Sequence, residues 1–221
     1  MVKSFSGIKM KIDMHVHSKY SKDAVSEPKQ IVKYCKVRGI DGIALTDNSM
    51  KSFEIVKNEI LCISSCEIAT ELGEILGFFI NDTIRKRSFY DVVDEIHKMD
   101  GLVCVPHPFD IFRRLSMGKN ITKIFHKVDL IEGFNSRCLI NKFNEMAQKF
   151  GKFVDLPLTG GSDAHTLLEI GNAYTTINAE SLSEIKKALL KGKIRFFGKL
   201  SIPYVHFYTL KKKYIKIFLK A

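Results

Sequence analysis

Four short segments carry residues of the kind that bind metal ions: Asp13-Met14-His15-Val16-His17, Cys66-Glu67, Pro106-His107-Pro108 and Gly161-Ser162-Asp163-Ala164-His165. Imidazole nitrogens and carboxylate oxygens together suit zinc, manganese or iron. Residues i and i+2 of a strand point the same way, so Asp13, His15 and His17 share one face. His15 and His17 can then bind one ion through their ring nitrogens, with Asp13 below them orienting the rings. Asp163 and His165 repeat that spacing. Glu67 follows an apolar run and precedes Ile68, which places a carboxylate in apolar surroundings. Such a carboxylate needs a partner, and a pair of cations that it bridges is one. His107 lies between two prolines, in a rigid, non-helical loop. Each residue alone fits a packed histidine or a salt-bridged glutamate. Five of them at successive strand ends point to a shared metal centre. His97, His126 and His206 fall outside the pattern and are read as structural or exposed.

The elements that must position these residues alternate between short apolar runs and helical periods. Strands are predicted at Lys11–Val16, Gly42–Leu45, Ile60–Ser64, Ile75–Ile80, Leu102–Val105, Leu130–Phe134, Leu156–Thr159 and Ala173–Ile177. Helices are predicted at Glu27–Arg38, Phe89–Met99, Leu139–Phe150 and Ser181–Lys191. Ser26 is a candidate N-cap of the first helix, and Gly39 lies just past its end. Ser181 with Glu184 three residues on fits a capping box. This alternation predicts parallel strands with crossover helices. His15, His17, Asp47, Glu67, His107, Asn135 and Asp163 each fall at or just after a strand's C-terminal end. Barrel active sites draw ligands from several strands at that end, so a closed or nearly closed barrel is expected.

The bulk properties are compatible with one domain of 221 residues, 45% of them hydrophobic. No stretch approaches the ~20 apolar residues that span a bilayer, and the first residues, MVKSFSGIKMKIDMH, do not read as a signal peptide. The five cysteines form no CxxC pair. They are expected to be reduced, mostly buried thiols of a cytoplasmic protein. A formal charge of +11 favours anionic partners without choosing among phosphates, nucleic acid and acidic surfaces. The segment 196–221 is aromatic and lysine-rich, distinct from residues 1–195. Within it Tyr214, Ile215, Phe218 and Leu219 share a helical stripe that would pack on the barrel.

The stretches DMHVHSKYSKD, GIDGIALTDN, CEIAT with EILGFF downstream, GLVCVPHPFD, IEGFN and GGSDAH followed by GNAYT resemble the polymerase-and-histidinol-phosphatase (PHP) family of metal-dependent phosphoesterases. They run in the family's order from Asp13 to about Thr175. The resemblance implies a distorted (β/α)7 barrel with two to three divalent ions at the C-terminal mouth of the strands. The ions would be zinc, manganese or iron, with magnesium possible. It implies that His15, His17, Glu67 and Asp163 hold one metal and that Glu67 bridges to a second, shared with His107 and Asn135 or Glu132. Asp23 and His165 would belong to a third. The sequence departs from the family at Thr46-Asp47-Asn48, where a histidine is common in place of Asn48. Asn48 is therefore a weakened ligand position.

The chemistry implied is hydrolysis of a phosphate ester by a metal-activated water. Arg137, after Asn135, and Arg113 and Arg114, after HPFD, are the candidate phosphate-binding groups. Asp13, Asp47 and Arg137 are the candidate catalytic residues. A small phosphorylated metabolite or nucleotide is the expected substrate. A nuclease using the same centre, with the basic surface holding DNA or RNA, is the alternative. A non-catalytic barrel like the RNase P protein subunit would show eroded ligands, and here most are present.

Overall fold

The computed structural model describes residues 9–209. The expected helical stripe at Tyr214 to Leu219 lies outside them. Among the described residues the elements run β1 Lys9–Val16, α1 Pro28–Arg38, β2 Gly42–Leu45, α2 Lys51–Val56, β3 Leu61–Ile63, β4 Ser65–Ala69, β5 Glu74–Phe78, α3 Phe89–Lys98, β6 Leu102–Val105, α4 Ile121–Ile124, β7 Leu130–Asn135, α5 Asn141–Phe153, β8 Leu158–Gly161, β9 Ala173–Asn178, α6 Leu182–Leu190 and β10 Ile194–Gly198, with further helical residues at 204–209.

Local chemistry sets the helix ends. α1 starts with Pro28, whose missing N–H costs nothing there. It stops at Gly39, left-handed at φ 65°. The expected Ser26 cap is absent, because Glu27 holds the N-cap position without a side-chain bond. The Ser181 cap is present: Glu184 N–H donates to Ser181 Oγ at 3.3 Å, and Glu180 N–H donates to Glu184 Oε2 at 2.8 Å.

The strands form two mixed sheets, ordered β10-β9-β1-β2-β3 and β4-β5-β6-β7-β8. The parallel pairs expected from the alternation are β1–β2, β2–β3, β6–β7 and β7–β8. The other four pairs are antiparallel, which corrects the all-parallel expectation. One reason is local. β4 and β5 are joined by a tight turn in which the Thr70 N–H and hydroxyl both donate to Gly73 O, at 3.0 and 2.6 Å. A closed barrel was expected, and what is present is a mixed α/β fold of two sheets. At their junctions single bonds replace ladders. Glu67 N–H donates to Thr46 O at 3.0 Å, Asp163 N–H to His15 O at 2.7 Å, and His17 N–H to Ala164 O at 2.9 Å.

The sheets face a common apolar interior. Ile12, Met14, Ala44 and Ile63 of one sheet pack with Leu76, Phe78, Leu102 and Leu130 of the other. Helices cover the outside: Val92, Val93 and Ile96 of α3 pack with Val103, Val105 and Ile131, while Ile31, Val32 and Cys35 of α1 pack with Ile43 and Leu45. The five cysteines are buried, as expected, and none is paired in a disulfide among the described residues. No described helix is long and apolar enough to cross a membrane.

Gly161 decides how closely β8 approaches β1. A Cβ there would lie 2.5 Å from the His15 Cβ and 2.9 Å from the His15 backbone nitrogen. The neighbour is backbone and cannot yield cheaply. Gly161→Ala is expected to cost about 1–3 kcal/mol by overpacking and to displace His15 from its place. Denaturant unfolding of the variant beside the parent checks this, and an unchanged midpoint would contradict it.

Candidate metal centre

His15, the penultimate residue of β1, and His17, just past its end, bring their Nε2 atoms to 3.1 Å of one another. Glu67 of β4 places one oxygen 3.4 Å from His15 Nε2 and the other 3.5 Å from His17 Nε2. Asp163 Oδ1 stands 3.5 Å from the first nitrogen and 3.4 Å from the second. All four side chains are buried or nearly so. These spacings are long for hydrogen bonds from a ring N–H. They match the edges of a tetrahedron of ligands: metal–ligand bonds of about 2.0–2.1 Å put neighbouring ligand atoms about 3.3 Å apart. His107 adds a second group, with Nε2 at 3.7 Å from both Glu67 Oε1 and Glu74 Oε2. His15, His17 and Asp163 thus form one cluster of converging ligand atoms and Glu67, Glu74 and His107 another.

The polar atoms facing this space have few protein partners. Glu67 Oε1, Asp163 Oδ1 and both ring nitrogens of His107 are buried without a hydrogen bond. Buried groups of this kind are normally satisfied. Divalent cations would satisfy all of them, so the residues present fit the metals that the sequence suggests.

The backs of the rings are fully engaged. His15 Nδ1 meets Glu132 Oε1 at 3.0 Å. The other Glu132 oxygen accepts from His107 N–H and from Asn135 Nδ2, each at 2.9 Å. Asn135 Nδ2 also donates to Asp163 Oδ2 at 3.1 Å, and its Oδ1 accepts from Arg137 N–H at 2.8 Å. Glu132 and Asn135, expected as alternative ligands, are hydrogen-bonded to His107, Asp163 and each other, with Glu132 also against His15. Asp13 lies at the root of the cluster. It accepts from Ser162 N–H at 2.8 Å and Gly171 N–H at 2.9 Å, and so ties β1 to the loops beyond β8. Burial raises its carboxyl to about 6 against those bonds.

Asp47 does not face the cluster. It accepts from Ser18 N–H at 2.9 Å, Ser18 Oγ at 2.6 Å and Ser21 Oγ at 2.5 Å. Ser21 in turn lies 3.0 Å from His17 Nδ1. Asp23 stands 3.2 Å from His165 Nε2, while His165 Nδ1 donates to Asp163 O at 2.8 Å. Asn48 turns its amide nitrogen onto Glu67 O at 3.1 Å. The arginines separate. Arg113 pairs with Asp163 and, at 3.4 Å, with Asp110. Arg137 is buried between Glu169 Oε1 at 3.4 Å and Thr209 Oγ1 at 3.1 Å. Arg114 is exposed on the rim.

The electrostatics describe a centre that seeks positive charge. Burial opposes ionisation of Glu67, but His17, His107 and His15 outweigh it and hold that carboxyl well below its ordinary range. Burial likewise opposes Asp163, and Arg113 and His15 hold it well below. His15 moves the other way. Burial would depress it, yet Asp163 and Glu132 carry it well above the usual imidazole range. Two of the candidate ligands also have left-handed backbones, His107 at φ 29° and Asp163 at φ 53°. Such conformations cost of order 1–3 kcal/mol each and cluster at functional sites.

Two residues near the centre escaped the sequence reading. Glu74 opens β5 and lies diagonally from Glu67 across the β4–β5 pair, where Ala69 faces Glu74 and Glu67 faces Leu76. Glu67 itself sits within β4, a strand not expected, rather than after one. The available signal was a lone glutamate just before the ILGFF run. His206, expected to be exposed or structural, lines the mouth with His165 and Arg113. Burial, with Arg137 and Arg113 nearby, lowers its imidazole to about 4.

The mouth opens into a cleft of about 1260 Å³ bounded by His17, Glu67 and His165 at one end and Arg85 and Arg87 at the other. A smaller lobe of about 440 Å³ extends between Phe112, Leu139 and His206.

Known proteins are similar to this chain in sequence and in fold. Residues 141–194 match the PHP-associated family. The uncharacterized protein MJ0417 of Methanocaldococcus jannaschii is 33% identical over 170 residues, covering 75% of this chain and 69% of that protein. MJ1587 of the same organism is 33% identical over 144 residues, covering 58% of this chain and 82% of its own length. Among solved structures, a two-domain protein from Bacteroides vulgatus containing a predicted PHP-like metal-dependent phosphoesterase superposes with TM-score 0.76 at 20% identity, over 88% of this chain and 66% of that one. The lesion-specific endonuclease EndoQ of Pyrococcus furiosus superposes with TM-score 0.64 at 15% identity, over 86% of this chain and 58% of that one. The chain thus spans just under two thirds of the first structure and less of the second. These two likenesses concern the fold.

Glu74 generates a prediction about pH. Burial, then the neighbouring Glu67 charge, raise its carboxyl to about 9. Between about 4.5 and 9 the folded protein therefore keeps a proton that the unfolded chain has released. Stability contributed by Glu74 is complete below the lower value and is lost as pH rises through the higher one. In protein stripped of divalent ions, Glu74→Gln should remove this loss. Its stability relative to the parent should improve with pH between 6 and 9, by up to about 1.4 kcal/mol per unit. Urea unfolding of both proteins across that range would show a constant difference if Glu74 titrates normally.

Proposed function

We infer function from one premise: the chain belongs to the PHP family of metal-dependent phosphoesterases, hydrolases acting on phosphate esters. We propose that it hydrolyses the phosphate ester of a small metabolite or nucleotide. The observation that carries this reading is the convergence of His15 Nε2, His17 Nε2, Glu67 and Asp163 on one point, with Glu67 shared toward His107 and Glu74. We read the two sheets as parts of a distorted (β/α)7 barrel whose C-terminal mouth holds the centre.

His15, His17, Glu67 and Asp163 would hold one divalent ion, and Glu67, Glu74 and His107 a second. Asp23 and His165, 3.2 Å apart, would contribute to a third, beside Asn48, whose amide nitrogen is engaged with Glu67 O. When bound, such ions lower the pKa of a coordinated water and neutralise phosphoryl oxygens. The protein's own part is positioning. Glu132 and Ser21 fix the two imidazoles from behind, and Asn135 holds Asp163. Arg113, already against Asp163 at the mouth, is the arginine placed to meet a non-bridging phosphate oxygen. Arg137 is taken up by Glu169 and Thr209, which supports a role in shaping the mouth.

The nuclease reading keeps one specific support. The cleft runs from the centre to Arg85 and Arg87, and EndoQ has the same fold. A strand could lie along that basic arm, where phosphate contacts would supply salt-dependent affinity.

Purified protein loaded with Mn²⁺, Zn²⁺, Fe²⁺ or Mg²⁺ and offered phosphomonoesters, a mononucleotide and a labelled oligonucleotide tests the proposal. Release of inorganic phosphate from a small ester supports it, and cleavage of the oligonucleotide alone favours the nuclease. Elemental analysis is expected to find at least about two ions per chain, and none bound on titration would sink both enzyme readings. Glu67→Gln and Asp163→Asn should each lower turnover more than about 100-fold, beyond what loss of a supporting residue costs. Near-normal turnover at saturating metal in either would show that the centre lies elsewhere.

A further inference from the structure

We propose that Ser21 is a positioning residue that fixes the ring tautomer of His17, with Asp47 dictating the direction of its hydroxyl. The inference rests on the metal-centre reading above and concerns a residue that supplies no ligand to it.

The argument is one of proton counting. A carboxylate accepts hydrogen bonds and donates none. Asp47 is fully buried at the end of β2, and three groups converge on it: the Ser18 N–H at 2.9 Å, the Ser18 hydroxyl at 2.6 Å and the Ser21 hydroxyl at 2.5 Å. Each must donate. Ser18 confirms the direction, since its oxygen accepts from Tyr20 N–H at 3.3 Å and its one proton is left for Asp47. The single proton of Ser21 is likewise spent on Asp47. Only lone pairs of Ser21 Oγ remain for His17 Nδ1, 3.0 Å away. The ring must therefore carry its proton on Nδ1, and the lone pair falls on Nε2, the atom 3.4 Å from Asp163 and 3.5 Å from Glu67. His15 reaches the same state by direct contact of Nδ1 with Glu132. The second imidazole has no carboxylate against its Nδ1, and the hydroxyl relays one across the gap. His17, Ser21 and Asp47 are all buried, so water does not compete for the relay.

Ser21→Ala removes the relay while keeping nearly all the volume. Competition titration against a chelator reads Zn²⁺ affinity, and the expected loss is roughly 10–100-fold, the usual cost of removing a group that orients a metal-bound imidazole. Ser21→Thr retains the hydroxyl and should restore most of that affinity. In nitrogen-labelled, zinc-loaded parent protein, NMR should show a slowly exchanging proton on His17 Nδ1. In Ser21→Ala that proton should exchange fast, with circular dichroism unchanged. Asp47→Ala removes the acceptor and frees the Ser21 proton for His17 Nδ1, so it too should weaken zinc binding. It decides the matter if Ser21→Ala fails to fold. Affinity within about twofold of the parent in Ser21→Ala, or in Asp47→Ala, would overturn the proposal, as would a His17 proton on Nε2 in the parent. Because the readout is binding, a protein that holds zinc but cleaves no phosphate ester would leave this inference standing and remove only the phosphoesterase reading. A parent that binds no zinc would end both.

Discussion

Two imidazole lone pairs and two buried carboxylates aimed at a single point repel one another unless a positive charge sits among them. The constraint at His15, His17, Glu67 and Asp163 is electrostatic before it is catalytic. Desolvation strengthens every such interaction, because few waters share the field. The opposed displacements of the groups follow directly. Without a cation, the Glu67 and Asp163 carboxyls are held in their charged form and His15 is held protonated by the same neighbours, and a cation would take the place of that proton. A core of apolar residues of equal volume would be easier to fold. The arrangement makes physical sense as a seat for cations.

Holding that seat open requires a second ring of polar groups behind the first. Glu132, Asn135, Asp13 and Asp47 are buried, and their oxygens are satisfied by specific N–H and O–H donors. Several of those donors are backbone amides in other strands or loops, so the same bonds that orient side chains also join the sheets. Asp13 illustrates this: it reaches Ser162 and Gly171 from β1. At the β1–β8 junction, where single bonds replace a ladder, such side-chain ties supply part of the missing cohesion.

The sequence made the centre legible because ligand residues bunch in short motifs and fall near strand ends. His15, His17, Glu67, His107 and Asp163 are brought together, and Asp23 meets His165. What it hid depends on pairing between distant segments. Periodicity cannot say that β4 turns back on β5, so Glu67 was placed after a strand rather than within one, and Glu74 went unnoticed. Four antiparallel pairs were invisible for the same reason. Side-chain direction was equally hidden. Arg137 follows a motif strand and reads as a phosphate ligand, yet Glu169 and Thr209 absorb it, whereas Arg113 reaches Asp163 through a loop conformation that no spacing rule encodes.

The left-handed backbones of His107 and Asp163 connect fold to site. Neither residue would hold that conformation unaided, and each is pinned by a group that also orients another ligand. Glu132 accepts from the His107 N–H with one oxygen and contacts His15 Nδ1 with the other. The His15 carbonyl accepts from the Asp163 N–H, while its ring faces the Asp163 carboxylate. Ser116 closes over the His107 carbonyl at 3.1 Å. The two ligand clusters are therefore registered through shared residues, not placed independently. Displacing Glu132 would release His107 and His15 together, so the spacing of the two clusters is set as firmly as the geometry within either one.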